Sequence, residues 1–112
     1  MTRVNLTTLN HITNLTALRD LILKGWCQGD YARNADGVPV DSRSDEAVYF
    51  CPIGACNHLE VPDERPLWGL FKKVNNIPQE MPLSVWNDVP ERTQARVVKA
   101  FQDTIDHLNS EE

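Results

Sequence analysis

The stretch 44–59, Ser-Asp-Glu-Ala-Val-Tyr-Phe-Cys-Pro-Ile-Gly-Ala-Cys-Asn-His-Leu, constrains the fold most. It is the longest run with few charges, yet Pro52 and Gly54 stand in its middle. Ser44 is a good N-cap, and Asp45 and Glu46 suit the positive first turn of a helix, so helix is the favoured reading. The β-branched and aromatic content of 47–51 makes a strand the competing one. Inside a helix Pro52 and Gly54 cost about 3 and 1 kcal/mol, so packing must hold the segment and a kink is expected at Pro52. Gly54 and Ala55 then mark a close contact with another element.

The rest of the chain punctuates itself. Asn14 can cap a helix over 14–24, with Leu15, Leu18 and Ile22 at three-to-four spacing and Gly25 as its stop. Over 26–43, Asp36-Gly37 is a turn signal and Pro39 forbids a central strand, so this part is a long irregular segment or a short hairpin. Pro66 can open a helix with Leu67, Leu70, Phe71 and Val74 on one face, ending at Asn75-Asn76. Pro78 and Pro82 confine 83–86 to a short helical turn. A last helix is expected from the acidic cap Asp88-Val-Pro-Glu91, with Val97, Phe101, Ile105 and Leu108 inward. The predicted fold is mainly α: one small domain, 1–112, of four or five helices, with frayed ends at 1–12 and 109–112.

The 112 residues suffice for one core, and 41% hydrophobic with 24% charged residues argues against wholesale disorder. A net charge of -5 disfavours a general nucleic-acid binder, which needs a basic face. No signal peptide or membrane span is legible, so a cytoplasmic protein without membrane attachment is expected. Three cysteines fit reduced thiols better than a disulfide framework.

Three groups of residues stand out: Gly25-Trp26-Cys27-Gln28-Gly29, Cys51-x-x-Gly54-Ala55, and Trp86-Asn87-Asp88. Together with Ala32, Asp36-x-Gly-x-Pro-Val40, Ala47, Phe50 and Arg92-Thr93, they resemble an uncharacterised family of bacterial and phage proteins over most of 14–108. The resemblance implies a helical fold and carries no activity.

Cys27, Cys51, Cys56 and His58 contain the donors of a Cys3His zinc site, but Cys-x4-Cys-x-His is no standard ligand ladder. On a helix Cys51 and Cys56 point about 140° apart and Cys56 and His58 about 160° apart. Small buried cysteines beside a surface histidine are the plainer reading, so no metal or other cofactor is expected. Nucleophilic catalysis requires Cys27 beside His11, His58 or His107, and a helix C-terminus there raises the thiol pKa. Asn34, Asp36 and Asp41 read as a turn rather than a calcium loop.

Trp26 and Trp86 are expected in the core, and Trp68, beside Gly69, Lys72 and Lys73, partly exposed. In the last helix Arg92, Arg96 and Lys99 lie early and Asp103 and Asp106 late, against the helix dipole. Internal pairing with carboxylates is expected for Arg92, with the acidic 41–46 segment as one source, and exposure for Arg96. The function these readings favour is a non-enzymatic binding or regulatory protein that docks on a partner protein through Trp68, Arg96 and Lys99, with homo-oligomer formation also open. A small cysteine/histidine-dependent enzyme or metal-binding protein is the alternative.

Overall fold

A computed structural model describes residues 6–110. Its frame is a pair of long antiparallel helices, α1 (Leu6–Lys24) and α5 (Gln94–Ser110), which make the most extensive contact between elements. Leu15, Leu18 and Ile22 on α1 and Val97, Phe101, Ile105 and Leu108 on α5 are buried at helical spacing, as the sequence predicts. Arg19 and Gln94 fix the alignment: Arg19 Nη1 donates to Gln102 Oε1 at 2.7 Å, and Gln94 Nε2 to the Ile22 carbonyl at 2.9 Å. Between them lie β1 (Ala32–Arg33), β2 (Tyr49–Phe50), α2 (Pro52–Leu59), α3 (Glu64–Val74) and α4 (Leu83–Asn87). The described chain is thus mainly α, with five helices and one two-stranded sheet.

Phe71 of α3 centres an aromatic cluster. Its ring lies 4.8 Å from Phe101, 5.6 Å from Trp86 and 5.7 Å from Trp68, the two tryptophans edge-on. Such geometry adds roughly 0.5–1.5 kcal/mol per pair beyond area burial. Trp86 therefore sits in the core, as expected. Trp68 does too, at 7% exposure, which corrects the partly exposed position expected for it. The lysines that follow Trp68 turn to the surface while its ring faces Phe71 and Phe101.

The central stretch departs most from expectation. Residues 47–50 are extended, not helical, because two other segments claim their backbone groups. Val48 N donates to Arg33 O at 2.9 Å, Phe50 N to Gly25 O at 3.1 Å, and Cys27 N to Phe50 O at 3.2 Å. Ala32 faces Phe50 and Arg33 faces Tyr49 in antiparallel register. Ser44 closes a local turn by accepting from Glu46 N instead of capping a helix. The helix begins only at Pro52, which causes no kink: at the first helical position its missing N–H removes nothing. Cys51 is the N-cap, its Sγ accepting from Gly54 N at 3.3 Å.

Two glycines are required by this crossing. A Cβ on Gly25 would fall on the Val48 carbonyl oxygen, and one on Gly54 would fall on that of Tyr31. The close contact predicted at Gly54 and Ala55 is therefore present, with Ala55 fully buried beside it.

Other boundaries shift for local reasons. α1 starts at Leu6, and Asn14 is an interior residue, because no breaker interrupts 6–14. α3 starts at Glu64, two residues before Pro66, after Asp63 in the left-handed region. α5 starts at Gln94, where Thr93 Oγ1 accepts from Arg96 N at 3.1 Å. Asp88, the expected cap, is engaged elsewhere. Segment 26–43 is a loop followed by a short hairpin over 32–40: Asn34 Oδ1 accepts from Asp36 N and Val38 N, and Gly37 takes φ 80 at the turn. Of the ends expected to fray, 1–5 and 111–112 lie outside the described residues, and 6–12 and 109–110 are helical.

Candidate functional site

The loop 25–31 leaves α1 and lies against the end of α4, where side-chain amides replace backbone pairing. Asn87, fully buried, accepts from Trp26 Nε1 at 2.8 Å and donates through Nδ2 to Cys27 O at 3.1 Å and Asp88 Oδ1 at 3.2 Å. Gln28 Nε2 reaches the carbonyls of Asn87 and Val89 at 2.8 and 2.9 Å. Asp88 Oδ1 also accepts from Gly29 N at 3.0 Å, and the residue itself closes the end of α4, six residues before α5 begins. Both amide N–H groups of Asn87 and of Gln28 are occupied, as burial of these groups demands.

Beside this junction opens a cleft of ≈ 330 Å³ lined by Gly29, Asp30, Tyr31, Cys51, Ser84 and Asp88. The Trp26-Cys27-x-Gly29, Cys51-x-x-Gly54-Ala55 and Trp86-Asn87-Asp88 motifs, far apart in sequence, meet at its walls. In the sequence Gln28 and Asn87 stand out only as motif members. Their partners lie about sixty residues away, beyond what local pattern reveals.

The thiols at this junction are protonated at neutral pH. Burial, then the neighbouring Cys51, pushes Cys27 up to about 11, and burial alone leads the rise of Cys51. Cys56 is raised to about 12 by burial and then by Glu64, to whose Oε2 it donates at 3.3 Å. Cys27 Sγ donates to Asp30 O at 3.4 Å. His58 bonds through Nδ1 to Ser42 O at 2.7 Å, so that nitrogen carries the proton, and its ring lies 4.7 Å from Phe50. It is half-buried, not a surface group. The four zinc-site candidates thus point to four different partners. Among the described residues no group of three or more His, Cys, Asp or Glu is placed to hold a metal ion.

The basic residues of α5 and of the turn before it separate into two kinds. Lys99 Nζ pairs with both Asp103 carboxylate oxygens at 3.1 and 2.9 Å, one turn along, so the reversed charge order is locally neutralised there. Arg92 is held inward, but not by a carboxylate as expected. Its Nε donates to Trp86 O at 2.9 Å and its guanidinium stands 4.2 Å over the Trp86 ring. Asp41 of the acidic segment instead accepts from the Arg43 backbone. Burial, then the like charge of Arg96, lowers the Arg92 pKa. Arg96 is exposed, and neither arginine forms an ion pair with a described residue.

Fold and site together define a small, mainly helical domain built around a buried amide junction. The chain belongs to the Family of unknown function (DUF6197), which matches residues 7–107. No curated protein and no solved structure matches it. No helix among the described residues is long and apolar enough to cross a membrane.

Proposed function

We propose that this chain is a non-enzymatic binding or regulatory protein of bacterial or phage origin, working in the cytoplasm by docking on a partner protein through Arg92 and Arg96 at the start of α5. The observation that carries the reading is a pair of guanidinium groups, Arg92 just before α5 and Arg96 in its first turn, neither ion-paired with a described residue. After burial, the like charge of Arg96 lowers the Arg92 pKa, so the two charges repel. A partner's carboxylates would relieve that repulsion, and a guanidinium is suited to bidentate recognition of them.

Arg92 is pre-positioned by the Trp86 ring and carbonyl, which leaves its terminal nitrogens for a ligand. Lys99 is already paired with Asp103, so it adds little net charge to this edge. Trp68, in the core, supplies no contact surface. Thiols held near 11 and 12 are poor nucleophiles at neutral pH, which weighs against the cysteine-enzyme alternative.

The experiment is affinity capture from a bacterial lysate with the natural chain, Arg96→Glu and Arg96→Lys in parallel. The reading expects a partner that is lost with Arg96→Glu, largely kept with Arg96→Lys, and weakened by salt. Identical capture by all three would overturn it.

A further inference from the structure

The segment 25–27 and the end of β2 form a short parallel ribbon. Gly25 O accepts from Phe50 N and Phe50 O accepts from Cys27 N, with Trp26 opposite Phe50. One residue further along, Cys27 and Cys51 stand side by side. Residues at matching positions of paired extended segments project to the same face. The backbone of Cys51 is still extended there, at φ -84 and ψ 170. Paired strands run about 4.8 Å apart, inside the roughly 4.4–6.8 Å that a disulfide spans between Cα atoms. Cys56, by contrast, is turned toward Glu64 at the start of α3.

We propose that Cys27 and Cys51 are a disulfide-forming pair, a modification site at which oxidation ties the 25–31 loop to the first turn of α2. The sulfur contacts that hold the reduced state, to Asp30 O and from Gly54 N, are weak single bonds. Access for a small oxidant comes from two sides. Cys51 lines the ≈ 330 Å³ cleft, and Cys27 lines a wide groove of ≈ 540 Å³ with Trp26, Gln28, Arg33 and Tyr49.

With hydrogen peroxide the step balances. One thiol gives up its proton and the resulting thiolate attacks a peroxide oxygen; the O–O bond breaks and the departing hydroxide takes up that proton, leaving a sulfenic acid and one water. The second thiolate attacks that sulfur, the S–S bond forms, and a second water leaves with the remaining proton. Two sulfurs lose two electrons in total, and the peroxide gains them. Because the thiolate is the nucleophile, the reaction is slow at neutral pH and accelerates toward the Cys27 value of about 11.

The test treats the full reduced chain with hydrogen peroxide at mildly alkaline pH, then denatures and alkylates it for peptide mapping by mass spectrometry. The expected result is one alkylated thiol of the three, Cys56, with a peptide linking Cys27 to Cys51 and a higher melting temperature in the oxidised chain. Cys51→Ser keeps an oxygen cap on α2, so it folds, and it should leave no intramolecular link. Three alkylated thiols, a link through Cys56, disulfides between chains, or sulfinic acid without a link would each overturn the proposal.

Discussion

Trp26 Nε1 donates to Asn87 Oδ1 at 2.8 Å across 61 residues of sequence, and that amide is fully buried. The same side chain donates to the Cys27 carbonyl, so one residue joins the loop after α1 to the end of α4. Asn87→Ala would leave the Trp26 indole N–H and the Cys27 carbonyl without their partner. At ~1–3 kcal/mol for each buried polar group left unsatisfied, a loss of about 3 kcal/mol is expected, read as a lower urea midpoint. Combining it with Trp26→Phe should cost less than the sum of the two single changes, because the pair shares one bond. Additive costs would show that the bond contributes nothing.

Gly54→Ala tests the crossing at the start of α2. The added methyl would coincide with the Tyr31 carbonyl oxygen, which is itself bonded to Cys51 N, so the backbone must move. Overpacking of this kind costs roughly 1–3 kcal/mol. Gly37→Ala is the matched control. It has no atom within 4 Å of the new methyl, and only its φ of 80 is strained, at about 1–2 kcal/mol. An unchanged denaturation midpoint for Gly54→Ala would mean that α2 does not approach Tyr31 in solution.

What the sequence made legible was its helical periodicity. Leu15, Leu18 and Ile22, and Val97 through Leu108, are spaced so that one face must be buried, whatever lies opposite. The helix reading of 44–51 failed because Ser44, Asp45 and Glu46 are equally good turn residues, and only pairing with Arg33 and Gly25 decides for strand. That pairing is non-local and leaves no periodic trace. Asp88 misled in another way: it ends α4 rather than opening α5, and Gly29 N, far away in sequence, takes its carboxylate. The amide junction was visible only as motif letters, since Gln28 and Asn87 look like ordinary surface amides until the two segments meet.

The buried thiols give a pH dependence with a definite sign. Cys27 and Cys56 are raised in the folded chain from 9.0 to about 11 and about 12. The folded state therefore holds these protons more tightly than the unfolded one. Their stabilisation is complete below pH 9.0 and is lost as pH rises through the folded values. Where a thiol titrates in the unfolded chain but not in the folded one, the slope approaches ~1.4 kcal/mol per pH unit. Melting temperature should fall between pH 9.0 and about 11 in the natural chain, and less steeply in Cys27→Ser. Equal slopes in the two chains would show that Cys27 is solvated.

Arg92 and Arg96 separate a structural role from a docking role. Arg92→Ala removes the bond to Trp86 O and the guanidinium over its ring, so stability should drop by about 1–2 kcal/mol. Arg96 makes no side-chain contact of that kind, and only its backbone N–H is used, by Thr93. Arg96→Glu should leave the thermal midpoint nearly unchanged or slightly raised, since it removes a like charge beside Arg92 and places an acid in the first turn of α5. Capture of the partner should fall at least tenfold, as loss of a charge-assisted contact of roughly 1.5–3 kcal/mol implies. Circular dichroism melts and a binding titration on the same preparations check both halves. A large drop in melting temperature with binding intact would make Arg96 a structural residue and remove the edge from consideration as a docking surface.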